Sequence, residues 1–294
     1  MASKVGTLVR YSLPRYLASF RVFVNLFDAE GRERYSAFFG ANVPDSVLCE
    51  PGTDLRVLGI GSGSGDIDSA ILKKLLQRHN SVYNRVVEPS EEMIGRYKTL
   101  VREDRSLGAV KCDWRQQTAE EYFQTKGDTK FHLVHGIHVL YTVEDMHATL
   151  RNMWEQVADG GYMMVAMESD KSDLGKLYHK MWGEFGKGDR LKTPFRTSGD
   201  VRQWFDASGV SYVTAEFGYN IDVTECFKEE SEAGQLVLEF FTYTPFVSKE
   251  PEIRSTALEH IRSKSSMVDG KIWFELADEI MVAFKMDPGR SDPV

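Results

Sequence analysis

The 294-residue chain is poor in cysteine, with only Cys49, Cys112 and Cys226. They stand far apart, with no CxxC pair and no zinc-ligand spacing, which argues for reduced thiols and against a disulfide framework or a metal centre. Positive charge is also short: 36 Lys and Arg face 44 Asp and Glu, and a net charge of −8 supplies no field to hold a nucleic-acid backbone. No run approaches the roughly 18 uninterrupted apolar residues of a membrane span. The opening MASKVGTLVRYSLPRY lacks the apolar core of a secretory signal. Repeats and low-complexity tracts are missing, and only the tail PGRSDPV reads as disordered. The expectation is a cytoplasmic monomer with no nucleic-acid, membrane or metal partner.

What is present is an apolar fraction of 42%, enough for a sizeable core. Residues 15–26, RYLASFRVFVNL, place Tyr16, Phe20, Phe23 and Val24 at helical spacing, and a second helix is expected over 34–39. From Asp54 the pattern changes, because DLRVLGIG is a short strand ending in glycines and DIDSAILKKLLQRH after it is helical. Further strands are expected at 82–88, 109–113, 131–135 and 161–167, with helices at 90–102, 118–123 and 143–157 between them. This alternation implies right-handed crossovers and an α/β fold: a doubly wound, mostly parallel, Rossmann-like sheet covered on both faces. After Glu168 the alternation stops. Helices are expected at 171–186, 198–209, 236–241 and 253–262, and strands at 210–218 and 279–285. The last strand has no helix after it and should run antiparallel. The expected organisation is an N-terminal helical lid over 1–50 and a Rossmann-like domain over 51–294, with a small helical cap from insertions near 171–200 and 220–265.

Gly61-Ser62-Gly63-Ser64-Gly65 falls between the first strand and the first crossover helix, and ligands of open α/β sheets lie outside the carboxyl ends of the strands. Glycines there permit positive φ and a close approach of the backbone to a ligand, although such a turn can equally be only a tight connection. Glu88, ending the next strand in RVVEPS, offers two oxygens to the two hydroxyls of a ribose. Asp113, expected to end the third strand, and Thr118 are placed to reach an adenine amino group, and Ile137 to pack on the adenine face. The loop does not fit a dinucleotide. Three residues after Gly63 comes Asp66, which breaks the GxGxxG spacing and would oppose a pyrophosphate at the helix N-terminus. No GxxxxGK[ST] run occurs either. An NAD(P)-linked oxidoreductase is the alternative; S-adenosylmethionine, which carries a sulfonium and an ammonium but no phosphate, is the expected cofactor.

Over essentially its full length the chain resembles the histamine N-methyltransferase family. The likeness rests on YLASFRVFVN, IGSGSGDID, RVVEPSEEMI, HVLYTVEDM, the KLY..MWGEF helix, LEFFT and the closing strand. It implies that Gly61, Glu88 and Ile137 contact S-adenosylmethionine, beside Ser62, Gly63, Gly65 and Pro89 of the same boxes. Two family cofactor positions are changed, a glutamine to Met93 and a serine to Ala119. It further implies that Tyr16 and Phe20 belong to the lid and that His138, Tyr178, Phe185 and Phe240 line the pocket of the methyl acceptor. Trp182 joins them, because Tyr178, Trp182 and Phe185 share one helical face.

The acceptor side departs from the family. Its amine-recognising glutamate falls on Ala29, with Asp28 and Glu30 one residue away; its asparagine near the C-terminus falls on Leu276, next to Glu275; a second tyrosine becomes Thr142, after Tyr141. The expected activity is N-methylation of a small imidazole or amine, either histamine or a histidine derivative such as a histidine-containing dipeptide. A cofactor- or amine-binding protein without turnover is the alternative. His138 and Glu30 are the candidate catalytic residues; His138 follows a strand end, whereas His132 and His135 alternate within the strand. Taken singly, the aromatic residues of 177–185 read as core, an isolated His as a structural group and Glu30 as a solvated charge.

Overall fold

In the computed structural model, which describes residues 4–50 and 52–286, three helices precede the first strand: α1 (Leu8–Tyr11), α2 (Leu13–Val24) and α3 (Ala29–Ala41). The alternating part runs β1 (Leu55–Ile60), α4 (Asp66–Leu76), β2 (Val82–Val87), α5 (Glu91–Glu103), β3 (Val110–Arg115), α6 (Ala119–Thr125), β4 (Phe131–Ile137), α7 (Met146–Gln156) and β5 (Val157–Glu168). There follow α8 (Asp173–Phe185), α9 (Ser198–Ala207), β6 (Tyr212–Asp222), α10 (Glu232–Thr242), α11 (Pro251–Lys264), β7 (Ser266–Val268) and β8 (Lys271–Phe284). The tail expected to be disordered lies outside the described residues. Among them, no helix is long and apolar enough to cross a membrane.

The strands pair in the order β3-β2-β1-β4-β5-β8-β6, with β7 on β8. The pairs from β3 to β5 are parallel, as crossover helices dictate. β8 runs antiparallel to β5: Lys285 N–H donates to Gly161 O at one end and Ser169 N–H to Ala277 O at the other. The antiparallel last strand is therefore present, but it is 14 residues long and begins at Lys271. Asp269 and Gly270, both at positive φ, turn β7 back into it as a hairpin. The charged residues of KIWFELADE interrupt the apolar pattern and mask that extension in the sequence. Helix starts follow their capping side chains. Ser90 accepts from Met93 N–H to open α5, and Thr118 with Glu121 forms a complete capping box on α6.

The chain divides into two compact units. The first, here the loop unit, comprises Glu33–Met167, Val201–Ala215 and the segment from Ile280. Its core includes Phe39, Val57, Ile71, Leu72, Leu133 and Met164, none more than 1% exposed. β1 and β4 are buried almost throughout, as expected of parallel strands covered on both faces. The second, here the aromatic unit, comprises the chain up to Arg32, Glu168–Asp200 and Glu216–Glu279. The division after Arg32 contrasts with the expected boundary at residue 50. It arises because α2 packs against α10: Arg15 donates to both carboxylate oxygens of the buried Glu239, at 2.6 Å each. The rest of α3 joins the loop unit, where Phe39 is buried.

Candidate active site

The three loop glycines all have positive φ, +66° at Gly61, +55° at Gly63 and +82° at Gly65, but for different reasons. A Cβ on Gly61 would overlap Val139, and one on Gly65 would overlap the ring of Tyr97. A Cβ on Gly63 would meet nothing within 4 Å. Packing thus explains two of these glycines, and only Gly63 borders open space where a ligand can approach the backbone. Beneath the loop, Tyr97 donates to the buried Asp68 at 3.2 Å and receives a hydrogen bond from Asn84 at 3.0 Å. Ser64 donates to Asp66 at 2.5 Å at the start of α4.

Glu88 is 8% exposed; its Oε2 accepts from Gly63 N–H at 3.0 Å and its Oε1 from Ser90 N–H at 2.9 Å. Burial pushes the carboxyl above its ordinary value, against the pull of those two backbone donors. Each oxygen keeps a second lone pair, so the carboxylate can hold the loop and still accept from a cis-diol. The open side of Gly63 beside this carboxylate fits an adenosine ligand, and Asp66 at the helix start disfavours a phosphate.

Of the remaining cofactor candidates, Ile137 closes β4 half-buried, Met93 and Ala119 are buried near the starts of α5 and α6, and Pro89 is exposed. Thr118 caps α6, and Ser62 lies half-buried within the loop. Asp113 differs from expectation: it does not end β3, which continues to Arg115 opposite Val87. Tyr83, Arg85 and Arg115 donate to its Oδ2 at 2.5, 2.8 and 3.0 Å. Burial raises its carboxyl, but those three bonds hold it below the usual range. An adenine amino group there would compete with three donors already in place.

His138 stands just past the carboxyl end of β4 and is followed by Val139, the residue that packs on Gly61. Its φ is +53°, a backbone state that costs a non-glycine residue roughly 1–3 kcal/mol and is concentrated at functional sites. Its backbone N–H donates to Ala166 O at 3.0 Å. The imidazole Nε2 is 2.7 Å from the hydroxyl of Tyr35, and Nδ1 is 3.4 Å from that of Tyr141. The other two histidines of the strand are structural. His132 Nδ1 accepts from Arg56 N–H at 2.9 Å, and burial, with the charges of Arg56 and His79, brings its pKa down to about 4. His135 is 2% exposed, with Nε2 3.8 Å from Asp68. Thr142 is exposed and closes the turn by donating to Val139 O.

In the aromatic unit, Tyr16 and Phe20 stack at 6.4 Å on one face of α2, and both meet Phe240, at 6.2 and 6.0 Å. Phe23 lies closer to Phe240, at 4.6 Å. Phe240 continues to Tyr243, and Tyr243 to Tyr178 and Phe195. Trp182 reaches Phe195 at 6.4 Å, while half-buried Phe185 stands outside this ring network. Tyr178 is 2% exposed, so its share of the helical face is spent on neighbouring rings. Near the family's glutamate position, Asp28 caps α3 by accepting from Gly31 N–H at 2.6 Å, and Glu30 is exposed. Leu276 is fully buried in β8 and Glu275 is exposed. Sequence reasoning missed Tyr35, Phe23, Phe195 and Tyr243. Phe23 was within reach, three residues after Phe20 on the same helix. Tyr35 carried no local signal, being 103 residues from His138.

A family model described as a methyltransferase domain matches residues 27–215. The histamine N-methyltransferase of Xenopus tropicalis is 33% identical over 273 residues, covering 88% of this chain and 92% of its own. That of Danio rerio is 32% identical, covering 96% and 99% respectively. The YcgJ protein of Bacillus subtilis superposes with a TM-score of 0.56 over 86% of this chain and 99% of its own, at 13% identity, a likeness of fold alone. With a methyltransferase-domain model over residues 27–215 and relatives of this identity along most of its length, the chain belongs to the S-adenosylmethionine-dependent methyltransferases, in the histamine N-methyltransferase family.

Proposed function

We propose that this methyltransferase acts on a nitrogen of a small imidazole or aromatic amine, and that a histidine derivative is methylated at least as well as histamine. The observation that carries the reading is His138, a strained polar residue whose turn abuts the cofactor loop through the packing of Val139 on Gly61. Bound S-adenosylmethionine supplies an electrophilic methyl group on a sulfonium. The acceptor nitrogen must present its lone pair opposite the departing sulfur, and holding that geometry is worth up to roughly 7–11 kcal/mol in intramolecular models. Aromatic faces can carry the positive charge that passes to the acceptor. The positions that orient an ethylammonium tail in the family are Ala29 and Leu276 here, and Leu276 is buried and apolar. An acceptor that depends on such a tail therefore loses charge-assisted contacts.

The test is a cofactor-dependent methylation screen over histamine, histidine, carnosine, aromatic amines and phenols, read by mass spectrometry. Imidazoles should head the ranking. Histamine leading by more than about tenfold in kcat/KM, with Glu30→Gln abolishing that lead, would overturn the acceptor assignment. Absence of turnover with every acceptor would favour a binding protein.

A further inference from the structure

We propose that Asp68 is a positioning residue of the cofactor loop: buried between Tyr97 and His135, it holds the two rings that back Gly65 and Ser62, and so keeps Gly63 and Glu88 set for the ligand. The proposal rests on the assignment of the cofactor to Gly63 and Glu88 and makes no use of the acceptor. Its ground is a group of polar side chains where packing alone calls for apolar ones. Asp68 from the first turn of α4, Asn84 from β2, Tyr97 from α5 and His135 from β4 are none of them more than 3% exposed. Asn84 Nδ2 donates to the Tyr97 oxygen at 3.0 Å, and Tyr97 donates to Asp68 Oδ2 at 3.2 Å. Burial, and then the charge of Asp68, pushes the Tyr97 hydroxyl well above its ordinary value, so it keeps the proton that this bond needs. On the other side, Asp68 Oδ1 is 3.8 Å from His135 Nε2. A buried polar network of this kind selects one arrangement of the elements that carry it.

Each ring backs one end of the loop. The Tyr97 ring fills the place of a Cβ on Gly65 and is itself set edge-on against Trp114 of β3, at 5.2 Å. The His135 ring and the Ser62 hydroxyl lie together where a Cβ on Gly59 would stand. Between these supports the loop closes on itself, with Gly65 N–H donating to Ser62 O at 3.1 Å, and Gly63 N–H reaches Glu88. Asp68 belongs to the helix that the loop opens, so its hold on both rings ties the ends of the turn to the sheet. A second link is electrostatic. The titratable groups that face Asp68 are Tyr97, His135, Cys112 of β3 and Glu88 just past the end of β2. Burial, with the charge of Asp68, lifts the Cys112 thiol to about 11 and leaves it neutral near pH 7. Glu88 is raised by burial first, and the charge of Asp68 adds to that rise. Removing the charge should therefore let Glu88 ionise at lower pH.

Two substitutions separate the bond from the charge. Tyr97→Phe keeps the ring under Gly65 and the charge of Asp68 but removes the bond between them. S-adenosylhomocysteine should then bind about tenfold more weakly in calorimetry, with the acid limb of its affinity not moved to lower pH. Asp68→Asn keeps an acceptor for Tyr97 and removes the charge; it should lose less affinity than Tyr97→Phe, and its acid limb should move to lower pH. Tyr122→Phe is the control, since it removes a comparably buried hydroxyl bond, to Gln156 at the end of α7, and should lose stability without affinity. In the ligand-free protein, amide hydrogen exchange at Gly63 and Gly65 should be faster in Tyr97→Phe than in Tyr122→Phe. Equal losses of affinity in these two variants, or loop amides that exchange alike in both, overturn the proposal. So does an Asp68→Asn limb that stays in place, or a limb that His135→Gln removes. A wild-type protein that does not bind S-adenosylhomocysteine sinks the cofactor assignment, and the exchange measurement still decides by itself whether Asp68 and Tyr97 hold the loop.

Discussion

The loop unit and the aromatic unit fix their functional residues by opposite means. In the loop unit the constraints are backbone ones: glycines at positive φ, a carboxylate held by two N–H groups, and a serine or threonine capping each of α5 and α6. In the aromatic unit they are rings in series, from α2 through Phe240 and Tyr243 to α8, together with one ion pair between residues 224 apart. Backbone constraints tolerate changes at a distance, whereas a chain of rings and a buried charge pair fails as a whole. Cofactor binding and acceptor turnover should therefore respond to different lesions.

The largest effect is expected at Arg15. Glu239 is fully buried while Arg15 is partly exposed, so Arg15→Ala strands a carboxylate in the interior, at a cost of about 3–5 kcal/mol. Urea denaturation should show that loss, and Arg15→Met with Glu239→Leu should recover most of it. S-adenosylhomocysteine affinity of Arg15→Ala, measured where the protein is still folded, should change by less than about threefold if the two sites are energetically independent. An equal loss in affinity would break the comparison.

Glu88 is the counterpart in the loop unit. If Glu88 holds a ribose as proposed, two charge-assisted bonds would each be worth roughly 1.5–3 kcal/mol, and Glu88→Ala should weaken cofactor binding at least tenfold in calorimetry. A dissociation constant that does not move would remove Glu88 from the ribose. Each unit also holds a buried glutamate raised above its ordinary value, and the two should answer pH differently. At Glu88, burial keeps the proton on to a higher pH. Cofactor affinity should thus fall on acidification from above the ordinary 4.5, and Glu88→Gln should bind weakly without that dependence. At Glu168, burial and then the neighbouring Asp278 push the carboxyl well up, against bonds from Ser172 and Ala277 N–H. The folded chain then holds a proton that the unfolded chain releases, so stability falls as pH rises from the ordinary value towards the raised one. Glu168→Gln should flatten that decline in denaturation midpoints; a decline that persists would assign it to another group.

The same contrast governs how much the sequence discloses. The glycine loop, Glu88 and the parallel order from β1 to β5 were legible because each is set within a few residues of chain, by a strand end, a turn and a cap. The sequence locates β8 but shortens it, since Lys271 and Glu275 interrupt its apolar run. Asp113 was misplaced by two residues, because nothing local marks where β3 ends; its register against β2 decides that. Tyr35, Phe195 and Tyr243 were illegible, since each matters through a partner far along the chain. α2 reads as a helix with Tyr16 and Phe20 on one face, but its attachment to Glu239 is written in neither segment alone.

The smallest effect is the sharpest test of what the loop glycines are for. Gly65→Ala and Gly61→Ala set a methyl group against Tyr97 and Val139 as well as straining a positive φ, so both should lose stability chiefly through packing. Gly63→Ala meets no neighbour within 4 Å and carries only the backbone penalty, about 1–2 kcal/mol. Its methyl group would nonetheless occupy the open space that the proposed cofactor site needs. Gly63→Ala should accordingly lose more in cofactor affinity than in stability, and Gly65→Ala the reverse, with denaturation and calorimetry run on the same preparations. If the two variants lose stability and affinity in the same proportion, the loop is a packing device throughout and Gly63 has no separate role towards the ligand.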